Sequence, residues 1–427
     1  MRVWIVNQHT YTPEQSAGVR HHSLAKELIV RGHDVLIVAT SFYHKAHTET
    51  RLGPGETWRK EEVAGVPFMW LKTPPYSGNG PRRFWNQIVF SLRAWLRTGL
   101  KDEPRPDVVI GSSPHLFAAL AAERLARRFG VPFVFEMRDL WPRRIVETGG
   151  LGEGHPLIRL MAWVERYLHR NADHIVSAVP ISPTAMAEIE RHVRERGGST
   201  ERLTWLPNGA DLAAGDAASG DGAAAPDPAA PPEASGERGA PVQFTYAGAH
   251  SDYADLDLVL DAAKMLEAEG WADRVRIRLV GDGPEKARLQ ARAADEHIAL
   301  VRFDDPVPRT EVAGVLRDAD VCLMTCKEGG TARWATSPNK LYEYMSVRRP
   351  VLYAMGAEYS PVDAAGAGIS VEPSDARAIA EAIKQFASAT GRERERMGQN
   401  GRAYVETYHG FGRLGEKLEA LLLSLTR

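Results

Sequence analysis

Cysteine is almost absent: Cys322 and Cys326 are the only two in 427 residues. A disulfide scaffold is thereby excluded, and a reducing compartment is the natural setting. Their C-x-x-x-C spacing has no neighbouring His or Cys cluster, so they read as small buried residues on a strand rather than a zinc site. No run of about 18 apolar residues occurs, so no segment reads as a membrane-spanning helix. The opening stretch MRVWIVNQHTYTP lacks the apolar core of about 7–15 residues that a secretory signal needs. The expected location is the cytoplasm. Charge of one sign is missing too: the formal net charge is −2, and no nucleic-acid partner is expected. Between 213 and 240 large apolar side chains are lacking altogether, 20 of 28 residues being Ala, Gly or Pro. Such a stretch cannot offset its ordering entropy by burial and reads as a flexible spacer.

What is present is a repeated alternation. An apolar run at 2–6 is followed by a loop containing Pro13 and Gly18, then by a helical pattern at 19–31 with Leu24, Leu28 and Ile29. Gly32 stops that helix, and a second apolar run follows at 35–39. Strand, helix, strand within 40 residues is a βαβ unit and predicts a parallel sheet. The pattern continues through strands at 108–110, 132–136, 174–178 and 203–206, separated by helices at 116–128, 157–170 and 184–196. It restarts after the spacer, with strands at 242–246, 275–280, 300–303, 321–325 and 350–353. Helices are expected at 255–269, 284–296, 309–317, from 339, at 376–390 and at 413–425. The fold class is therefore α/β, with two Rossmann-like doubly wound domains facing across a cleft. The expected organisation is a first domain at 1–207, a connection with the flexible insertion at 208–240, a second domain at 241–405, and a closing helix at 406–427 that packs back toward the first domain.

The segment Thr336-Ser-Pro-Asn-Lys-Leu-Tyr-Glu-Tyr-Met345 follows Gly329-Gly330 and opens a helix. Backbone N–H groups of Asn339, Lys340 and Leu341 at a helix start, with the helix dipole, make an anion site suited to a diphosphate. Pro338 sets the helix start, and Lys340 adds a full positive charge. Glu343, about one turn on, repels a diphosphate but accepts well from ribose hydroxyls. The plainer alternative is a helix opened by Ser337 and Pro338 with Glu343 solvated. Two D-x-D strings, Asp255-Leu-Asp257 and Asp318-Ala-Asp320, read as cap and surface carboxylates, and no metal is expected. Gly281-Asp-Gly283 begins a dinucleotide fingerprint, but position 286 is Lys and the pattern is incomplete.

These motifs together resemble family 4 retaining glycosyltransferases of the twin-Rossmann GT-B type. Thr336–Met345 resembles their nucleotide-binding element, and Leu279-Val-Gly-Asp-Gly-Pro284 their Gly-rich turn. Pro207-Asn208-Gly209 resembles the signature closing their first domain. Arg138-Asp-Leu-Trp-Pro142, after Ser112-Ser-Pro114, is similar to a subgroup that adds amino sugars to lipid-linked precursors of surface polysaccharide. So are Gln15–Arg20, Ser23–Leu28 and Arg31-Gly-His33. The resemblance implies that Glu343 holds the ribose, that the Gly18 backbone approaches the phosphates and acceptor, that Gly281 and Gly283 line the nucleotide, and that 305–308 receives the base. The donor it implies is a nucleotide-diphosphate sugar, a UDP-linked N-acetylated hexosamine, and the acceptor a lipid-linked glycan; no cofactor is needed. The sequence departs from the family at three places. Ala335 stands where its first glutamate belongs, with Glu328 the nearest substitute. Gly248–Asp255 has none of its usual Arg and Lys, leaving the phosphate charge to Lys340 and Arg333. Arg138 and Asp139 occupy the place of a frequent histidine.

Transfer on this scheme needs the leaving diphosphate stabilised, which N–H donors and Lys340 supply without metal. Asp139 is the candidate for orienting the acceptor hydroxyl, with Arg138 beside it; the alternative is a turn carboxylate. His21-His22 lie near the cleft or form a surface pair. Residues 82–101 hold Arg82, Arg83, Arg93, Arg97 and Lys101 with no acidic residue, interleaved with Phe84, Trp85, Ile88, Leu92, Trp95 and Leu96. That mixture suits an interfacial helix on anionic lipid, giving peripheral contact with the inner face of the membrane, or an ordinary helix with its apolar face in the core. Rival readings are a sugar-nucleotide binder that does not transfer, an epimerase of the same architecture and, more distantly, a nicotinamide dehydrogenase.

Overall fold

The structure, a computed structural model, describes residues 1–15, 18–78, 80–113, 115–147, 149–217, 240–327, 334–335, 338–356 and 358–426. Most of the Ala/Gly/Pro stretch, Glu328, Gly329-Gly330, Arg333, Thr336, Ser337 and Pro114 lie outside them. The chain divides into two compact units. The first is Met1–Asn208 with Trp334–Ser337 and Phe411–Arg427; the second is Gly209–Arg333 with Pro338–Gly410.

The first unit holds β1 (Arg2–Val6), β2 (Asp34–Thr40), the short pair β3 (Phe42–Tyr43) and β4 (Thr48–Glu49), β5 (Trp58–Val63), β6 (Val66–Leu71), β7 (Val108–Ser112), β8 (Phe133–Met137), β9 (His174–Ser177) and β10 (Leu203–Trp205). Eight of these form one sheet in the order β10-β9-β8-β7-β1-β2-β6-β5. It is parallel except for β5, which runs antiparallel to β6 in a hairpin that the alternation rule passes over. Both sheet faces are covered, so alternate residues of one strand feed different cores. Trp4 and Val6 face the core that includes helix Leu116–Phe129, while Val3 and Ile5 face Leu24, Leu28, Leu414, Leu418 and Leu422. The last three belong to the closing helix Phe411–Thr426. That helix is pinned by Arg31 Nη2 donating to the Gly412 carbonyl at 2.9 Å and by His33 against Glu419 at 2.7 Å.

The second unit holds β11 (Val242–Ala247), β12 (Val275–Val280), β13 (Val301–Asp304), β14 (Val321–Thr325), β15 (Val351–Ala354) and β16 (Gly368–Val371) in an all-parallel sheet ordered β13-β12-β11-β14-β15-β16. This is the Rossmann order, with its reversal between β11 and β14. Cys322 lies on β14 and Cys326 just beyond it; both are buried free thiols, pushed up by burial to about 12 and about 11. No described helix is long and apolar enough to cross a membrane.

Helix Arg20–Val30 begins with a buried arginine. Arg20 Nε donates to Glu136 Oε1 at 2.8 Å, Nη2 donates to the Leu206 carbonyl at 2.7 Å, and Nη1 to that of Pro207. His21 Nε2 and Ser112 Oγ both meet Glu136 Oε2 at 2.5 Å. Asn7 Oδ1 accepts the His9 N–H, which turns its Nδ2 toward His21 Nδ1 at 3.0 Å. Nδ1 therefore accepts, and the proton on Nε2 goes to Glu136. His21 and His22 are both buried, which removes the surface-pair reading.

Burial alone would raise the Glu136 carboxyl; His21 and Arg20 outweigh it and hold the group well below its usual range. Removing the carboxylate leaves Arg20 buried without its counter-charge. Glu136→Ala should therefore destabilise the fold by about 3–5 kcal/mol in denaturant unfolding. The folded pKa lies below the unfolded 4.5, so this stabilisation is complete above that value and is lost as pH falls through the folded one. From pH 7 to 3 the unfolding midpoint should drop further in wild type than in Glu136→Gln.

Candidate functional site

In the second unit the strand reversal brings the loop after β11 to the ligand-binding edge of the sheet. Tyr344 fixes the end of β11, its hydroxyl accepting the Ala247 N–H and donating to the Ala247 carbonyl, each at 2.9 Å. Gly248 follows. A Cβ there would strike Lys340 Nζ, and a Cβ on Gly281, whose φ is +145°, would fall on the Gly248 carbonyl oxygen. The two loops thus approach at backbone distance, which only glycine permits. Lys340 Nζ lies 4.5 Å from the centre of the Tyr246 ring and donates to its hydroxyl at 2.7 Å. Gly248, Gly281 and Lys340 are therefore gathered around one point, while Gly283 packs against the His250 backbone.

Helix Asn339–Ser346 starts at Asn339, with Pro338 as its extended N-cap and no side-chain cap. The expected trio of outward donors is reduced, because the Leu341 N–H turns back to the Pro338 carbonyl at 3.3 Å, as a tight first turn allows. Glu343 is not simply solvated: Arg309 Nη2 donates to its Oε1 at 2.6 Å. His250 was missed by the sequence reading. Both its ring nitrogens are buried without partners, and it is held near 4 by burial and then by Lys286 and Lys340. It occupies the loop where a basic pair was expected. Lys286 is bonded to the Asp304 carbonyl at 3.0 Å and to Asp305 at 3.1 Å, at the start of the loop expected to receive the base.

In the first unit the reversal lies between β1 and β7. The loop after β1 carries Asn7 to Gly18 and enters the helix at Arg20. Arg138 and Asp139 follow β8. Arg138 N–H donates to Ser113 Oγ at 2.9 Å. Asp139 pairs with Arg144 at 3.3 Å; burial raises its carboxyl against the pull of Arg144 and Arg138.

Trp334 and Ala335 belong to this unit. Ile181 N–H donates to the Trp334 carbonyl at 2.9 Å, and Ala335 is buried in the apolar core. A glutamate at 335 would place a charge in that core.

Residues 17–209 match the glycosyl transferase 4-like domain model, and residues 241–389 the glycosyl transferases group 1 model. The chain is a GT-B glycosyltransferase of the family 4 type. It is similar to "probable glycosyltransferase WbjE" of Pseudomonas aeruginosa, 24% identical over 76% of this chain and 77% of that one. It is also similar to WcaI of Escherichia coli (strain K12), assigned as a glycosyl transferase of colanic acid biosynthesis, 23% identical over 88% and 89%. Among solved structures, sucrose-phosphate synthase of Thermosynechococcus elongatus superposes with a TM-score of 0.69 at 14% identity, covering 99% and 98%. HepE of Anabaena in complex with UDP superposes with a TM-score of 0.65 at 12% identity, covering both chains in full.

The glycosyltransferase uses the basic segment differently from the expected helix over 82–101. The helix is Pro81–Trp95, and Arg97 takes a left-handed φ of 61°. Arg93 donates to the Thr57 carbonyl at 2.7 Å, and Arg97 to that of Lys101 at 2.9 Å while lying over the Phe129 ring. Both bond within the domain. Arg82, Trp85, Leu92, Trp95 and Leu96 remain exposed, and Arg83 is half-buried. Asp257 accepts from Arg288 and Arg292, and Asp320 from the Gln243 N–H.

Because Gly281 touches Gly248 through its backbone, Gly281→Ala should destabilise the protein by at least roughly 1–3 kcal/mol. Thermal unfolding reads the loss.

Proposed function

We propose that the chain transfers an N-acetylated hexosamine from its UDP-sugar to a lipid-linked precursor of a surface polysaccharide, with retention at the anomeric carbon and without metal. The observation that carries this reading is the Lys340 ammonium, from the first turn of helix Asn339–Ser346, at the strand reversal of the second sheet beside the backbone-close Gly248–Gly281 contact. The HepE complexes with UDP and UDP-glucose support a UDP donor. The colanic acid assignment of WcaI supports a polysaccharide product. The amino sugar and retention rest on the motif resemblance.

In the proposed step the bond from the anomeric carbon to the diphosphate oxygen breaks and a bond to the acceptor oxygen forms on the same face. The acceptor proton passes to the leaving phosphate. Lys340 and the Asn339 N–H meet the charge that develops there. Glu343, oriented by Arg309, accepts from the ribose. The Gly18 backbone approaches the phosphates and acceptor, and Asp139, with Arg138, orients the acceptor hydroxyl. Ala335, buried in the first core, favours a second reading, a sugar-nucleotide binder without turnover.

The test is transfer from a panel of UDP- and GDP-sugars to membrane lipid extract in EDTA. One UDP-sugar should turn over, with the product anomer matching the donor by NMR. Lys340→Ala should lower kcat about 10²-fold, and Glu343→Ala should raise the donor KM. Donor binding without nucleotide release or glycolipid on any acceptor selects the second reading.

The exposed Trp85, Leu92, Trp95 and Leu96 with Arg82 support peripheral contact with anionic lipid. Binding to vesicles containing phosphatidylglycerol should weaken about tenfold in Trp85→Ser/Trp95→Ser and fall with added salt. Equal binding by the variant would reject the membrane contact.

A further inference from the structure

The strand reversal of the first sheet carries a polar cluster that the donor chemistry does not use. His9 comes from the loop after β1 and His115 from the loop after β7, the two strands flanking the reversal. Both ring nitrogens of His9 are buried and have no hydrogen-bond partner. His115 Nδ1 accepts the Ala118 N–H at 3.2 Å, so its proton sits on Nε2, which is buried and unpartnered. Arg138 Nε, from the loop after β8, is buried and unpartnered as well. Each such group costs on the order of 1–3 kcal/mol when left unfilled. Several at one place point to a ligand that fills them.

The surrounding charges say which ligand. After burial, the groups that depress His9 are His44, His115, Arg83 and Arg138. His115 is pushed to about 3 by burial and then Arg83. His44 is pushed to about 4 by burial and then Arg83, His47 and Lys45. None of these acting charges is a carboxylate. Two carboxylates also feel Arg138: Glu136, already saturated by Arg20, His21 and Ser112, and Asp139, which pairs with Arg144. The His9 and His44 rings stand 5.2 Å apart, and both line a shallow open concavity with Tyr11 and Tyr43. Positive charge and unfilled N–H donors at the ligand edge of a sheet suit an oxyanion.

We infer that this edge is an acceptor subsite for a phosphate or diphosphate group, held by His9, His115 Nε2 and Arg138 Nε, with Arg83 at its rim. This rests on the transferase reading. It adds a second oxyanion, distinct from the donor diphosphate that Lys340 meets in the other unit.

The test is titration of the full chain with inorganic pyrophosphate while UDP is saturating, so that the donor site is filled. Wild type should bind pyrophosphate under these conditions. His9→Phe and Arg138→Gln should each weaken it about tenfold or more with UDP affinity unchanged. His9→Gln serves in place of His9→Phe if that variant unfolds. Loss of pyrophosphate binding whenever UDP is bound, or equal binding by the variants, overturns the subsite and leaves the donor reading standing. Binding of glucuronate or a neutral methyl glycoside at these residues in place of pyrophosphate also overturns it. Failure of UDP itself to bind counts against the transferase reading instead, and pyrophosphate titration of the variants without UDP then reads the subsite alone.

Discussion

An ionised carboxylate shut away from water must be surrounded by donors, and Glu136 takes its donors from Arg20, His21 and Ser112. Those contacts join the end of β8 to the end of β7 and to the start of the first helix. Arg20 extends the link to the carbonyls of Leu206 and Pro207, the two residues before Asn208, which ends the first unit's main segment. The loop that carries His9 and Gly18 leaves β1 and must arrive at a helix start whose position this charge dictates. Apolar packing of similar volume would hold the fold at least as well. What the buried pair adds is a single geometry at the edge proposed to take the acceptor.

The second unit reaches the same end by another route. No buried ion pair orders its ligand edge among the described residues. Its loops are set by backbone contact, Gly281 against Gly248, and by Tyr344 clamping the end of β11. Lys340 then lies across Tyr246, which orients the ammonium. An ordered ammonium at this position is what the proposed leaving diphosphate needs.

The alternation of apolar runs with helical patterns made the two parallel sheets legible, because strands buried on both faces are continuous apolar stretches. The hairpin of β5 and β6 was not, since Trp58–Val63 is an exposed edge strand reading WRKEEV with no apolar alternation. Lys340, Gly281 and Glu343 could be singled out because the roles proposed for them follow from local motifs. Arg309 beside Glu343, and Glu136 beside His21, could not: those partners lie 34 and 115 positions apart. The carbonyl partners of Arg93 and Arg97 were not legible either, as basic composition does not reveal which guanidinium groups bond within their own domain. His250 could have been found by asking what replaces the absent basic pair in its loop.

The closing helix supplies Leu414, Leu418 and Leu422 to a core whose other members are drawn largely from the first seventy residues and from β7 to β9. A ribosome adds about 5–20 residues per second. The sheet of the first unit therefore emerges roughly 10–40 s before the leucines that cover one of its faces. Through that interval Leu24, Leu28, Val3 and Ile5 lack the part of their cover that Leu414, Leu418 and Leu422 supply. Slow synthesis or a stall within the second unit prolongs the exposure. The nascent chain is thus most in need of a holding chaperone while its second domain is being made, although the vulnerable surface belongs to its first.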